Sequence, residues 1–289
     1  MKHLTSMIEI SVGGILILSG LVLLLIIFRR PLIEKVWKYR KEIIRHNLST
    51  SFPELGPKDI NNLIKEYYKH MCDLVVEPFF LLSKKRAEKM QFNNTEILDD
   101  LLQKKKDIVL FSSHYGNWEN MAALPLFTGY EVVAAYTPVK NQFINNLLGK
   151  LRKRYNVTIV PKNDFYKVAL RNKNSDRPKL YIMIGDQSPS KDSIKNGIPF
   201  LNHNTPVQIG PVRLSQKLDC PIVYLDVNKT KRYQYEYSFK LIEEEVKEYN
   251  EMELIKKCYI ELENTIRRSP GIWLWSHKRW KYEHLLKAS

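Results

Sequence analysis

The hydrophobic pattern changes period several times along the chain. Leu32 to Asn47 has helical spacing and is broken at Pro53. Pro57-Lys58-Asp59 opens a second helical stretch that runs to about Leu82, with proline at the first helical turn. Glu96 to Lys105 reads as a short helix. Ile108-Val109-Leu110-Phe111 is then a continuous apolar run of strand length. Glu119 to Leu126 fits a helix, Val132 to Tyr136 a second strand, and Phe143 to Tyr155 a helix with a basic face. Val157 to Val160, Leu180 to Ile184, Ile222 to Val227 and Tyr235 to Ile242 read as four further strands, and Glu245 to Arg268 as a long charged helix stopped by Pro270. Strands alternating with helices predict an α/β fold: a mixed, mainly parallel sheet flanked by helices on both faces.

One segment stands outside this alternation. Ile10 to Phe28 is 19 residues without a charge, and as a helix it would span roughly 28 Å, close to the thickness of a bilayer core. It ends in Arg29-Arg30-Pro31, which suits an uncleaved anchor better than a signal peptide with a small-residue cleavage site. Arg29, Arg30, Lys35, Lys38, Arg40, Lys41 and Arg45 follow it, against Lys2 and Glu9 before it. The positive side stays in the cytoplasm. The expected organisation is therefore a membrane anchor over residues 1–30 and a cytoplasm-facing domain over residues 31–289.

Composition narrows the partners. Forty-four per cent hydrophobic residues exclude a disordered chain, and the formal charge of +15 favours anionic partners: nucleic acid, an acidic membrane, phosphorylated substrates or an acidic protein. The three cysteines, Cys72, Cys220 and Cys258, are far apart, so neither a disulfide framework nor a zinc site is suggested.

Four segments carry candidate chemistry. His114-Tyr115-Gly116-Asn117-Trp118-Glu119 follows the first buried strand and sets an imidazole and a carboxylate five positions apart. Across a strand-to-helix turn, Glu119 can fold back onto the ring, fix its tautomer and stabilise the imidazolium, which makes His114 a candidate general base. The loop Tyr136 to Asn141, with Lys140, opens at the same sheet edge as His114, where ligands of parallel sheets bind. Arg152 and Arg154 on the following helix can grip a phosphate. Gly185-Asp186-Gln187 comes directly after another strand. Lastly, three tryptophans, Trp273, Trp275 and Trp280, interleave with His277, Lys278, Arg279 and Lys281. That pattern fits stacking on bases, a membrane interface, or closure of the fold.

In order along the chain, the basic anchor, Asn47-Leu48 with Phe52-Pro53-Glu54, His114 with Gly116-Asn117-Trp118-Glu119, Asp186-Gln187, Gly210-Pro211 with Pro221-Ile222-Val223, and Trp273-Leu274-Trp275 with His277-Lys278-Arg279-Trp280-Lys281 resemble the bacterial lipid A biosynthesis (lauroyl/myristoyl) acyltransferase family. That family lies within the wider His-x4-Asp/Glu glycerolipid acyltransferases. The resemblance implies an inner-membrane enzyme facing the cytoplasm. It would move a fatty acyl chain from acyl carrier protein to a hydroxyl of a lipid A precursor, with His114 as general base and Glu119 as its partner, and no covalent intermediate. Asn117, Lys140, Arg152, Arg154, Asp186 and Gln187 would bind substrate. No cofactor or metal is implied; acyl-acyl carrier protein or acyl-CoA is a co-substrate. A lysophospholipid or an acylated amino lipid is the alternative acceptor, and a membrane-tethered nucleic-acid-binding protein the alternative outside enzymes. The chain departs from the family at Gly197-Ile198-Pro199-Phe200-Leu201-Asn202, where members often carry a Phe-Phe-Gly element.

Overall fold

The computed structural model describes residues 40–137, 142–173, 175–195 and 197–286. The segment 10–28 and Lys140 lie outside the described residues. Among the described residues, no helix is long and apolar enough to cross a membrane.

Among the described residues, two helices come first. α1 (Lys41–Ser51) stops at Phe52 because the following Pro53 disfavours helical backbone before it. α2 (Pro57–Val76) has Pro57 at its first turn. The helical stretch expected to reach Leu82 instead tightens into a 3-10 helix, Glu77–Leu82, where Pro78 removes an N–H from the α-helical ladder. A four-residue α3 (Lys84–Ala87) follows, then β1 (Gln91–Asn93), α4 (Glu96–Gln103) and β2 (Ile108–Ser112). A 3-10 helix, Trp118–Leu126, leads to β3 (Glu131–Tyr136), α5 (Gln142–Arg154), β4 (Thr158–Pro161), α6 (Lys162–Arg171) and β5 (Lys179–Ile184). A hairpin of β6 (Gly197–Phe200) and β7 (His203–Pro206), then α7 (Gly210–Leu218), β8 (Ile222–Lys231), β9 (Gln234–Glu243) and α8 (Glu251–Arg268) complete the order.

Among the described residues, seven strands form one sheet in the order β1-β9-β8-β2-β5-β3-β4. Every neighbouring pair is parallel except β8 and β9, so the mixed, mainly parallel sheet is the expected one. Alternation within β2 shows why both faces must be covered. Ile108 and Leu110 join the large core beneath α2 and α8, while Val109 points the other way, into a second core with Phe165 and Ala169 of α6 and Leu214 and Leu218 of α7. All five β2 residues are buried. An apolar side chain of this size contributes roughly 1.5–3 kcal/mol when fully buried, which commits the strand to the centre of the sheet. Its carboxyl end, and that of β5 beside it, therefore meet at one edge.

Several elements differ from the sequence expectation. The helix expected from Glu245 starts at Glu251, because Asn250 caps it and Glu253 returns the bond to the Asn250 N–H. The segment that departs from the family pattern, Gly197 to Asn202, lies in the β6–β7 hairpin. Its two-residue turn places Leu201 and Asn202 at φ of 52° and 64°. Leucine rarely takes that conformation, so no turn signal was visible. Burial compensates: Leu201 is fully buried and its N–H donates to Glu263.

Candidate active site

β2 delivers His114 to the sheet edge and β5 delivers Asp186 beside it. The backbone N–H of Gly185 donates to Ser112 O at 3.0 Å, so the two strand ends are still in register where they leave the sheet. Asp186 then accepts three hydrogen bonds: from His114 N at 2.8 Å, from His114 Nδ1 at 2.7 Å, and from Trp273 Nε1 at 2.8 Å. Burial would raise its carboxyl, but the neighbouring His114 and the bonds from His114 and Trp273 outweigh this and hold it below the usual carboxylate range. An ionised carboxylate only accepts, so Nδ1 carries a proton, and in the neutral ring Nε2 presents the lone pair. At Nε2 stands the Gln187 side-chain amide, 3.3 Å away. The Trp118 ring meets the His114 ring edge-on at 5.1 Å.

The expectation that Glu119 folds back onto His114 is corrected. Both Glu119 oxygens accept from Arg152 Nη2, at 2.8 and 2.9 Å. The reason is local: Asn117 caps the 3-10 helix by accepting the Glu119 N–H at 3.0 Å, which starts the helix at Trp118. Glu119 then faces α5 while Asp186 occupies the His114 Nδ1 position.

Two expected substrate-binding residues are also reassigned. Asn117 is 1 % exposed, and its amide is spent on Glu77 and on the Glu119 N–H. Asp186 is likewise 1 % exposed and serves the imidazole. Arg152 is brought to Glu119 near the His114 turn. Arg154 is not: it lines a separate cavity of about 270 Å³ with Lys84, Pro125, Leu126, Tyr155 and Asn156.

A buried polar layer behind the turn escaped the sequence reading. Gly116 sits at φ +59°, and a Cβ there would lie 2.9 Å from Val227 Cγ1, so glycine is required. Its carbonyl is met by His70 Nε2 at 3.2 Å and its N–H donates to Ile272 O at 3.1 Å. Glu77 accepts from the Asn117 amide and from Tyr235 OH, and burial pushes its carboxyl up. Tyr237 OH donates to Asn117 O. The one visible signal was Glu77 itself, a carboxylate inside the apolar run Leu74 to Leu82. The tryptophan-rich segment closes the fold: Trp273 supports Asp186, Trp275 donates to Pro270 O, Trp280 donates to Thr205, and Asn47 of α1 clamps the carbonyls of Trp275 and His277.

The sequence profile of the family described as Bacterial lipid A biosynthesis acyltransferase matches residues 23–282. The chain belongs to that family. The acyltransferase is thus an enzyme that transfers an acyl group to a hydroxyl. No curated protein matches it in sequence. Among the described residues, no group of three or more His, Cys, Asp or Glu side chains is arranged to hold a metal ion.

Two histidines, His70 buried and His277 half-buried, make the acyltransferase acid-sensitive. Burial, then Lys229, lowers His70 to about 3; burial, then Arg279, lowers His277 to about 4. Unfolded, both would titrate near about 6.5. Between those values the unfolded chain binds more protons, so stability is full above about pH 6.5 and is lost as pH falls. Glu77, raised in the fold, works in the opposite sense at the acid end. The urea midpoint is expected to drop between pH 6.5 and 5, and His70→Asn to flatten that slope. A midpoint constant across this window would refute the assignment.

Proposed function

We propose that this enzyme transfers a fatty acyl chain from acyl carrier protein to a hydroxyl of a lipid A precursor, by direct attack on the thioester. His114 is the general base and Asp186 its partner. The observation that carries the reading is the Asp186–His114 bond, which in the neutral imidazole puts the proton on Nδ1 and the lone pair on Nε2, at the ends of β2 and β5. The acceptor hydroxyl gives its proton to Nε2 as its oxygen attacks the carbonyl carbon. Asp186 stabilises the imidazolium that forms, and the departing thiolate takes the proton back. General-base assistance supplies about 10²–10⁴-fold; positioning and oxyanion stabilisation supply the rest. Glu119 and Arg152 form an ion pair beside the turn, suited to orienting a phosphorylated acceptor.

The remaining partners follow from sequence. Residues 10–28 anchor the enzyme in the inner membrane by a single span, with the catalytic domain on the cytoplasmic side. The +15 charge steers an acidic carrier protein and suits an anionic membrane surface. The same catalytic pair would also serve a lysophospholipid or an acylated amino lipid. The test is transfer of a labelled acyl group from acyl carrier protein to a tetra-acylated lipid A precursor in detergent. Transfer supports the reading. Transfer only to lysophospholipid or amino lipid, with the same donor, would replace the acceptor, and transfer from acyl-CoA alone would replace the donor.

A further inference from the structure

We propose that the Gln187 side-chain amide is an oxyanion donor of the acyl transfer, standing on the His114 lone pair until the acceptor hydroxyl displaces it. The inference rests on the reading of His114 as general base.

Chemistry fixes which end of the amide faces the ring. Asp186 takes the Nδ1 proton, so the neutral imidazole has only a lone pair at Nε2, and the group 3.3 Å away must donate. The NH2 end of Gln187 therefore points at the place where the reacting hydroxyl has to bind.

The mounting of this residue is unusually firm for a loop. Gln208 Nε2 donates to Gln187 O at 3.1 Å and to Ser188 O at 3.3 Å. Ser188 N donates to His277 Nε2 at 3.1 Å, and His277, lowered to about 4, stays an acceptor at neutral pH. On the other side, Asp186 is locked by its own three bonds. Backbone on both sides of Gln187 is held while its side chain remains half-buried. With the backbone held, only the Gln187 side-chain torsions have to adjust when the hydroxyl displaces the amide, which keeps the reorganisation of an oxyanion donor small.

Geometry then links the two positions. The hydroxyl must approach Nε2 to within about 2.6–3.2 Å to pass its proton. The thioester carbonyl oxygen is two bonds from the attacking oxygen, so the oxyanion forms beside the volume the amide already borders. In sequence, the hydroxyl binds at Nε2 and the amide swings off. The new carbon–oxygen bond forms, the proton passes to Nε2, and the carbonyl π pair moves onto oxygen, which accepts an N–H from Gln187. The oxyanion then collapses, the carbon–sulfur bond breaks, and the thiolate leaves with the proton from His114.

The experiment compares wild type, Gln187→Met and Gln187→Glu, using labelled acyl-acyl carrier protein and a tetra-acylated lipid A precursor, with lysophospholipid as the second acceptor. Methionine keeps length and removes the N–H donors. Loss of one oxyanion donor predicts a kcat fall of about 10²–10³-fold, with KM for donor and acceptor changed only a few-fold and the thermal midpoint preserved. Glutamate, of the same shape, should lower kcat at least as far, and its charge beside His114 should move the ascending limb of the pH profile to higher pH. A Gln187→Met enzyme with wild-type kcat, or one impaired only in KM, overturns the proposal while the function stands. Wild-type enzyme that transfers to neither acceptor overturns the functional reading instead, and the proposal with it.

Discussion

Asp186→Asn is expected to lower kcat by about 10³–10⁴-fold, the scale seen when the carboxylate behind a catalytic histidine is made neutral. An asparagine can turn its NH2 toward Nδ1 and so force the proton onto Nε2, where it blocks base catalysis. It can also keep a carbonyl toward Trp273 Nε1, which now bonds Asp186 at 2.8 Å, so the fold has a way to survive the change. Transfer kinetics beside a thermal unfolding curve separate the two effects. Glu119→Gln is the informative control. Its carboxylate pairs with Arg152 rather than with the imidazole, so its loss should act mainly on KM for the acceptor. A Glu119→Gln enzyme that loses kcat as severely, beside an Asp186→Asn enzyme that keeps it, would restore the His114–Glu119 pairing the sequence suggested.

His114→Ala should remove transfer to the limit of detection, a loss of at least about 10²–10⁴-fold, because an alcohol near neutral pH is a poor nucleophile without a base. The ring is at the surface of the turn, with its side chain 19 % exposed, and packs edge-on against Trp118 rather than in the core. Its removal takes one of three donors from the buried Asp186 carboxylate, so the unfolding midpoint should fall, while the backbone N–H at position 114 and Trp273 Nε1 still hold Asp186 and keep the enzyme folded. Measurable turnover in a well-folded His114→Ala enzyme would sink the base assignment, and with it the order of proton transfers.

Much of this architecture was legible along the chain for a physical reason. A parallel strand buried on both faces is a short uninterrupted apolar run, and β2, β5 and the first half of β8 are such runs bounded by polar turns. Their positions, and the arrival of His114 and Asp186 at strand ends, follow from local composition. The elements that escaped are those whose signals are tertiary. α6 and α7 bury only a narrow stripe against the second core. The β6–β7 hairpin carries Pro199 and Pro206 and turns at a leucine, all poor local evidence for strands.

At the site the division is sharper. Local composition supplied the residue types available for chemistry: a histidine, two carboxylates and an amide after strand ends, an arginine on the helix that follows β3, and enough of the motif order to resemble the family. What it could not carry was which carboxylate meets the imidazole. Glu119 is near His114 along the chain, and Asp186 is 72 positions away. Hydrogen bonding between β2 and β5, in register from Ile108–Leu180 to Ser112–Ile184, brings Asp186 to Nδ1, while the Asn117 cap turns Glu119 toward Arg152. Separation along the chain says little about contact across a sheet, because strand pairing converts a distant position into a neighbour about 4.8 Å away. Only the tertiary structure could decide the pairing.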